Sequence, residues 1–321
     1  MEPLLNLPVK PPLDPAKFRD PALTAKGETR ATVALERLQT LWFNTGTLCN
    51  IECGHCYIES GPKNDRLAYL SAAEVEAYLD EIAALGWATR EIGFTGGEPF
   101  MNRDILPMLR AALSRGFEAL VLTNAMRPMR RFERGLRQLR EEFGRALTLR
   151  VSLDHYSAAF HDAERGAGTF EKTVAGIDWL AKHGFRIALA GRHFTGEGDA
   201  ELRDGFARLI AARGWPVDAS DPSQLVIFPE MDAEIDVPEI TTACWGILHK
   251  SPSDVMCASS RMVVKRKGAM HASVLACTLL PYDPQFELGA TLAEANHEVA
   301  LNHPHCAKFC VLGGASCSAK G

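Results

Sequence analysis

Long apolar runs are absent from this 321-residue chain, and no stretch approaches the length that spans a bilayer, so no membrane partner is expected. The N-terminus also lacks a secretory signal: Leu4, Leu5, Pro8, Pro11 and Pro12 give neither a basic start nor an apolar core. A large excess of one charge is absent, with 35 Lys and Arg against 40 Asp and Glu. A formal net charge of -5 leaves no footprint for nucleic acid, and the run Lys265, Arg266, Lys267 reads as a solvated hairpin. No dinucleotide-binding fingerprint follows the first strand, which removes the main argument for a nicotinamide cofactor. What remains is the composition of a globular protein, 46% hydrophobic, long enough for one large domain and one small one.

Cysteine is the residue in unusual supply. An odd count of nine, in tight groups, favours metal thiolates in a reducing cytoplasm over disulfides. Cys49, Cys53 and Cys56 are spaced by three and then two residues, so a loop can turn all three thiolates onto one inorganic core where a regular helix or strand would not. Three thiolates on a four-iron cubane leave one iron without a protein ligand, an open chemical position. Zinc with His55 as fourth ligand is the competing reading of the same residues.

The rest of the chain alternates strand and helix, an α/β pattern. Residues 1–37 read as a proline-rich arm with a short helix over Arg30–Arg37. A strand over Leu41–Asn44 leads into the cysteine loop. Ser71 and Glu74 form a capping box before Val75, Leu79, Ile82 and Leu85, with Gly86 as the stop. Strands follow at 91–94, 119–122, 147–153, 186–190 and 225–228, with helices at 104–115, 129–143, 170–183 and 202–213. Gly96, Gly97, Glu98 and Pro99 end the second strand, where adjacent glycines let backbone approach a ligand closely. After Phe228 the alternation stops: a hairpin over 262–265 and 271–275 and a helix over 288–301 are expected among six further cysteines. Pattern alone does not separate a partial barrel from a doubly wound sheet.

Cys49, Cys53 and Cys56, followed by Gly96-Gly97-Glu98-Pro99 at the end of the next strand, resemble the radical S-adenosylmethionine (SAM) superfamily. The resemblance implies a partial (β/α)6 TIM-like barrel over 38–235, open on one side. It implies a [4Fe-4S] cluster whose open iron takes the amino group and carboxylate of SAM, and reductive cleavage of SAM to a 5'-deoxyadenosyl radical. It further implies that the Gly96–Gly97 edge meets the SAM ammonium while Glu98 fixes the turn. Ser152 and Asp154 are its candidates for the SAM carboxylate or ribose, Asn124 is a further one, and Arg192 is a guanidinium fork for the carboxylate. Turn capping by Asn124, Ser152 and Asp154, and a surface ion pair for Arg192, are the structural alternatives.

The end of the chain, 236–321, resembles the small twitch or SPASM extensions that carry auxiliary iron-sulfur clusters. Six cysteines cannot supply eight thiolates, so one auxiliary [4Fe-4S] cluster is expected, on Cys257, Cys277, Cys306 and Cys310, with Cys317 able to replace one of them. Cys244 is left as a buried small hydrophobe or a ligand of a second, incomplete cluster, and structural zinc is the alternative for the whole group. The implied function is hydrogen abstraction from a small molecule or cofactor precursor, with an electron donor such as flavodoxin or ferredoxin. Two alternatives stand beside it: a peptide-modifying enzyme, against which 37 residues are short for a separate leader-binding domain, and a non-enzymatic iron-sulfur scaffold or redox sensor. The scaffold has no reason to keep Gly96, Gly97, Glu98 and an open iron together.

Overall fold

The computed structural model describes residues 11–230 and 232–314, so Cys317 lies outside the described residues. Along the chain the elements are β1 (Thr32–Val33), β2 (Thr40–Asn44), α1 (Ala72–Ala84), β3 (Glu91–Thr95), α2 (Ile105–Ser114) and β4 (Glu118–Thr123). Next come α3 (Arg127–Arg130), α4 (Glu133–Phe143), β5 (Leu147–Ser152), α5 (Ala158–Arg165), α6 (Thr169–Lys182), β6 (Arg186–Arg192), α7 (Asp199–Arg213) and β7 (Leu225–Phe228). The end of the chain adds α8 (Cys244–Ile247), β8 (Ser260–Val264), β9 (Ser273–Leu275), β10 (Glu287–Gly289) and β11 (Val299–Ala300).

The local rules read from the sequence operate where tertiary contacts agree with them. Ser71 caps α1 by the reciprocal arrangement expected, its hydroxyl taking the Glu74 amide while the Glu74 carboxylate takes the Ser71 amide. The helix expected at 129–143 is split in two, and the break falls where Phe132 turns its ring toward Phe100, 6.0 Å away. Two expectations fail outright. The segment 30–37 is not helical: Ala31 and Val33 are buried while Thr32 and Ala34 are exposed, a period of two, and Thr32–Val33 pairs with Val299–Ala300. Residues 288–301 are not a helix either. They begin on β10, turn through Thr291–Asn296 and end on β11: Leu288, Leu292, Ala295 and Val299 recur at helical spacing, but Gly289 at φ +141 breaks the run and its two ends pair with β9 and β1.

Strands β2 to β7 are parallel and adjacent in chain order, the outcome of successive strand and helix units. Beyond β2 the sheet continues through β8, parallel to it, and then antiparallel β9 and β10, giving nine strands among the described residues. Among the described residues the end strands β7 and β10 pair on one side only, so this mixed α/β sheet is open. Its two faces carry different cores. Leu41, Phe43, Phe94 and Val121 face the helices, whereas Trp42, Leu120, Met262 and Leu275 face the cysteine-rich end. Strand side chains alternate, so burial on both faces explains why β2 reads as a continuous apolar run.

The arm is tied to the end of the chain as well. Arg30 donates to the Glu239 carboxylate at 2.6 Å with both side chains buried, and Lys17 pairs with Asp236. The basic run is a set of ion pairs at the surface and its edge: Lys265 with Glu74, Arg266 with Glu287, Lys267 with Asp65. Among the described residues, no helix is long and apolar enough to cross a membrane.

Candidate active site

The cysteine loop leaves the C-terminal end of β2 and is docked against the end of β3 largely by backbone. Thr45 donates its amide to the Thr95 carbonyl at 2.8 Å, Gly97 to Gly46 at 2.8 Å, and Glu98 to Leu48 at 3.2 Å. The reason for the two glycines is visible in this contact. A Cβ at Gly96 would lie 2.5 Å from the Gly46 carbonyl oxygen, one at Gly97 2.3 Å from that of Leu48, and Gly96 has φ +137. The glycines therefore let two backbones pack together, and the cysteine loop starts from that junction.

Cys49, Cys53 and Cys56 line one cavity of about 140 Å³, together with Gly96, Gly97, Asn124, Ser152, Asp154 and Arg192. Glu98 is behind its wall: 1% exposed, it accepts from the Thr123 hydroxyl and Asn124 amide at 2.8 Å and from the Phe100 amide at 3.2 Å. Burial pushes its carboxyl up to about 7 against those donors. Glu98 thus clamps the end of β3 to the end of β4. Asn124 points its amide at the Asn50 side chain, 2.9 Å, and lies 4.0 Å from Cys49 Sγ.

Helix α5, absent from the sequence reading, completes the site. Arg165 at its end, with a side chain 14% exposed, lines the cavity and forms a two-pronged pair with Asp154 at 2.7 and 2.9 Å. Burial works to raise the Asp154 carboxyl, but Arg165 outweighs it and holds that group below the usual carboxylate range. Glu164, the preceding residue, takes the Gly54 amide on its carbonyl at 2.8 Å, and its carboxylate meets His55 Nδ1 at 2.9 Å and Arg192 at 3.0 Å. One short helix therefore ties the cysteine loop to the ends of β5 and β6. The Asp154 amide donates to His161 Nδ1, and burial pushes that imidazole down to about 4, keeping it a neutral acceptor. The sequence signal for α5 is weak because Ala158–Arg165 has no apolar stripe and His161 is its one buried side chain.

Cys257, Cys277, Cys306 and Cys310 come together in a second, smaller pocket, with His305 and apolar walls. Cys306 opens a π-helical turn, Cys306–Leu312, that also carries Cys310. Burial, then the nearness of Cys277 and Cys257, raises the Cys306 thiol well above its ordinary value. Arg261, 1% exposed, lies beneath with its guanidinium bonded to the carbonyls of Cys257, Ser260, Ala295 and His297, and with no carboxylate partner among the described residues. Leu279 lines both pockets and Phe309 of the π turn lines the first, so the cysteine-rich end forms the wall between them. Cys244 lies outside both, its Sγ taking the Thr241 amide at 3.3 Å.

The donor sets suit iron-sulfur clusters. None of the eight described cysteines is in a disulfide, and amides donate to sulfur at Cys56 (from Ser60) and Cys277 (from Leu279), both at 3.3 Å. No three His, Cys, Asp or Glu side chains among the described residues are grouped to hold a single metal ion, whereas a polynuclear core takes its thiolates at separate corners. Burial pushes the Cys49 thiol up to about 12, and the positive charge of a metal bound there would favour its thiolate.

Known proteins are similar to this chain in sequence and in fold. The chain is 31% identical over 143 residues to the antilisterial bacteriocin subtilosin biosynthesis protein AlbA of Bacillus subtilis, covering 44% of this chain and 30% of AlbA. It is 30% identical over 141 residues to an AdoMet-dependent heme synthase of Methanosarcina barkeri, covering 43% of this chain and 37% of that protein. The chain thus spans well under half the length of either relative. Streptococcus suis SuiB, in its crystal structure bound to precursor peptide SuiA, has the same fold with a TM-score of 0.58 at 13% identity, over 80% of this chain and 63% of SuiB. The family model of the radical SAM superfamily matches residues 43–206, just over half of the sequence, from the end of β2 to the middle of α7, so the chain belongs to the radical SAM superfamily.

Proposed function

We propose that this chain is a radical SAM enzyme that abstracts hydrogen from a peptide. The observation that carries the reading is the joint lining of one cavity by Cys49, Cys53 and Cys56, the Gly96–Gly97 backbone and the Asp154–Arg165 pair. In it, β2 to β7 act as a partial (β/α)6 barrel over 38–235, the arm is 1–37, and 236–321 is a twitch-like domain.

Cys49, Cys53 and Cys56 would hold a [4Fe-4S] cluster with three thiolates, one fewer than its irons, which would leave an iron for the amino and carboxylate groups of SAM. Bound there, the cluster would pass on an electron from an external donor protein, the chemistry that cleaves SAM to methionine and a 5'-deoxyadenosyl radical. The residues around it bind and orient. Gly96 and Gly97 present backbone to the SAM ammonium. Arg165, positioned by Asp154, and Arg192, positioned by Glu164, bring positive charge to the carboxylate side, with Ser152 and Asn124 as hydrogen-bonding groups. The walls of Phe228, Leu279 and Phe309 keep water from the radical. Cys257, Cys277, Cys306 and Cys310 hold an auxiliary cluster, with Cys317 as a further thiol.

Two observations support a peptide over a small molecule. AlbA is by name a bacteriocin biosynthesis protein. Strand β7 has an edge without a strand partner among the described residues, and its last residue, Phe228, lines the cavity, so an extended peptide can add to the sheet with a side chain facing SAM. The likeness to a heme synthase favours the small-molecule reading instead. Deuterium transfer separates them: anaerobic, reduced enzyme is given SAM with either a perdeuterated peptide pool or a deuterated tetrapyrrole, and 5'-deoxyadenosine is weighed by mass spectrometry. Deuterium from the peptide pool supports the proposal. Deuterium from the tetrapyrrole alone overturns the substrate class, and absence of deoxyadenosine under reducing conditions overturns the reaction.

A further inference from the structure

The second cysteine pocket contains one polar side chain that the thiols do not account for. His305 lines it beside Cys257, Cys277, Cys306 and Cys310, is 7% exposed, and has a buried Nδ1 with no hydrogen-bond partner among the described residues. The adjacent imidazole is satisfied: His303, with its ring centroid 4.7 Å away, accepts the His305 amide on Nδ1 at 3.0 Å. The rest of the wall, including Leu279, Phe286 and Leu301, is hydrocarbon or thioether, so the protein offers the ring nitrogen nothing. Buried polar atoms are nearly always paired, and what the four thiols enclose is a partner within the same pocket.

We propose that His305 donates an Nδ1–H hydrogen bond to a sulfur of the cluster held by these four cysteines, and thereby raises the reduction potential of that cluster. The inference rests on the four-cysteine ligation proposed above. Four thiolates already fill the protein positions of a cubane, which leaves the imidazole to act on sulfur rather than on iron. Reduction adds electron density to the sulfurs, so a donor aimed at one of them favours the reduced form. His305 is in this sense a positioning and tuning residue, with no contact to SAM required.

The test uses the full chain, anaerobically reconstituted with iron and sulfide and saturated with SAM, in a potential titration followed by electron paramagnetic resonance. SAM alters the signal of the cluster that binds it, which identifies the other. His305→Phe is expected to keep both clusters and move the midpoint of the SAM-insensitive one to more negative potential, with the SAM-sensitive one unmoved. His305→Gln, whose amide keeps an N–H, should return part of that shift. In protein labelled with 15N-histidine, a weak nitrogen coupling on the SAM-insensitive cluster, lost in His305→Gln, supports the hydrogen bond. The strong coupling of a direct iron–nitrogen bond, an unmoved midpoint in His305→Phe, or loss of that cluster from both variants overturns it. Should the wild-type chain take up only about four irons, the four-cysteine reading itself fails, a result distinct from two clusters with an unmoved potential.

Discussion

The two cysteine sites are built from similar parts and differ in what surrounds them. Each gathers thiols from a loop or irregular turn beside a largely buried arginine, Arg165 at the first site and Arg261 at the second. At the first, the guanidinium is matched by Asp154, and Asn124, Ser152 and Arg192 share the cavity. At the second, the guanidinium meets carbonyls, the walls are apolar, and His305 is the one polar side chain in the lining. The difference teaches that thiol spacing alone does not assign a role. A polar cavity with fixed charges can order a zwitterion such as SAM, whereas an apolar pocket around four thiols can only enclose what those thiols hold.

The sharpest way to break this comparison is to remove the first set of thiols. The triple variant Cys49→Ala, Cys53→Ala, Cys56→Ala should lose SAM cleavage entirely and about half of its iron while the second cluster persists. Iron and sulfide analysis beside chromatography of deoxyadenosine checks both halves, and unchanged iron would remove the assignment of the first site.

The arginines give the next contrast. Arg165→Met leaves Asp154 buried without a partner, which should cost about 3–5 kcal/mol and weaken SAM binding. Arg261→Met should spare SAM affinity and instead reduce retention of the second cluster. Calorimetric titration with SAM and iron analysis of both variants separate the two effects. The first also carries a pH signature in the cluster-free chain. Because Asp154 is held below its ordinary value, its pairing with Arg165 contributes fully above the unfolded carboxylate pKa of about 3.9 and is lost as pH falls through the folded value. The stability gap between wild type and Arg165→Met should therefore narrow in that acid window, and urea midpoints at neutral and acid pH measure it.

A smaller effect tests the junction of cysteine loop and sheet. Gly97→Ala forces a methyl group against the Leu48 carbonyl and should destabilise by about 1–3 kcal/mol, with a loss of SAM affinity. Gly246→Ala in the cysteine-rich end, where a Cβ meets nothing within 4 Å, should be neutral. The smallest concerns the link between the sites. Tyr282 donates its hydroxyl to the Ile58 carbonyl at 2.9 Å and packs its ring under Arg66, joining the cysteine-rich end to the stretch just after Cys56. Tyr282→Phe should cost about 1 kcal/mol in denaturant unfolding and leave both clusters in place.

Much of this was legible in the residues. Cysteine spacing, the paired glycines and the capping of α1 are local features, and each marks an element or a site member whose placement depends on neighbours in sequence. The four cysteines of the second pocket could be grouped by count and by the hairpin between Cys257 and Cys277, and they do line one pocket. Arg165 was hidden because its importance depends on α5 folding back over the cysteine loop, and an eight-residue helix without an apolar stripe gives no periodic signal. The same limit misled the reading of 30–37 and 288–301: these segments form strands because they pair with each other or with β9, a long-range partnership that overrides local helix propensity. Glu98 shows a subtler gap: read as the residue that fixes its own turn, it also reaches across to Thr123 and Asn124 and clamps β3 to β4 behind the cavity wall.

The most direct test of the difference between the sites is Mössbauer spectroscopy of anaerobic protein reconstituted with 57Fe, recorded with and without SAM. Two clusters of unlike surroundings predict about eight irons per chain, of which a single iron changes its isomer shift when SAM is added while the irons of the second cluster stay fixed. A spectrum in which no iron responds to SAM, or in which irons of both clusters respond, would contradict the division into one open, SAM-binding site and one enclosed site.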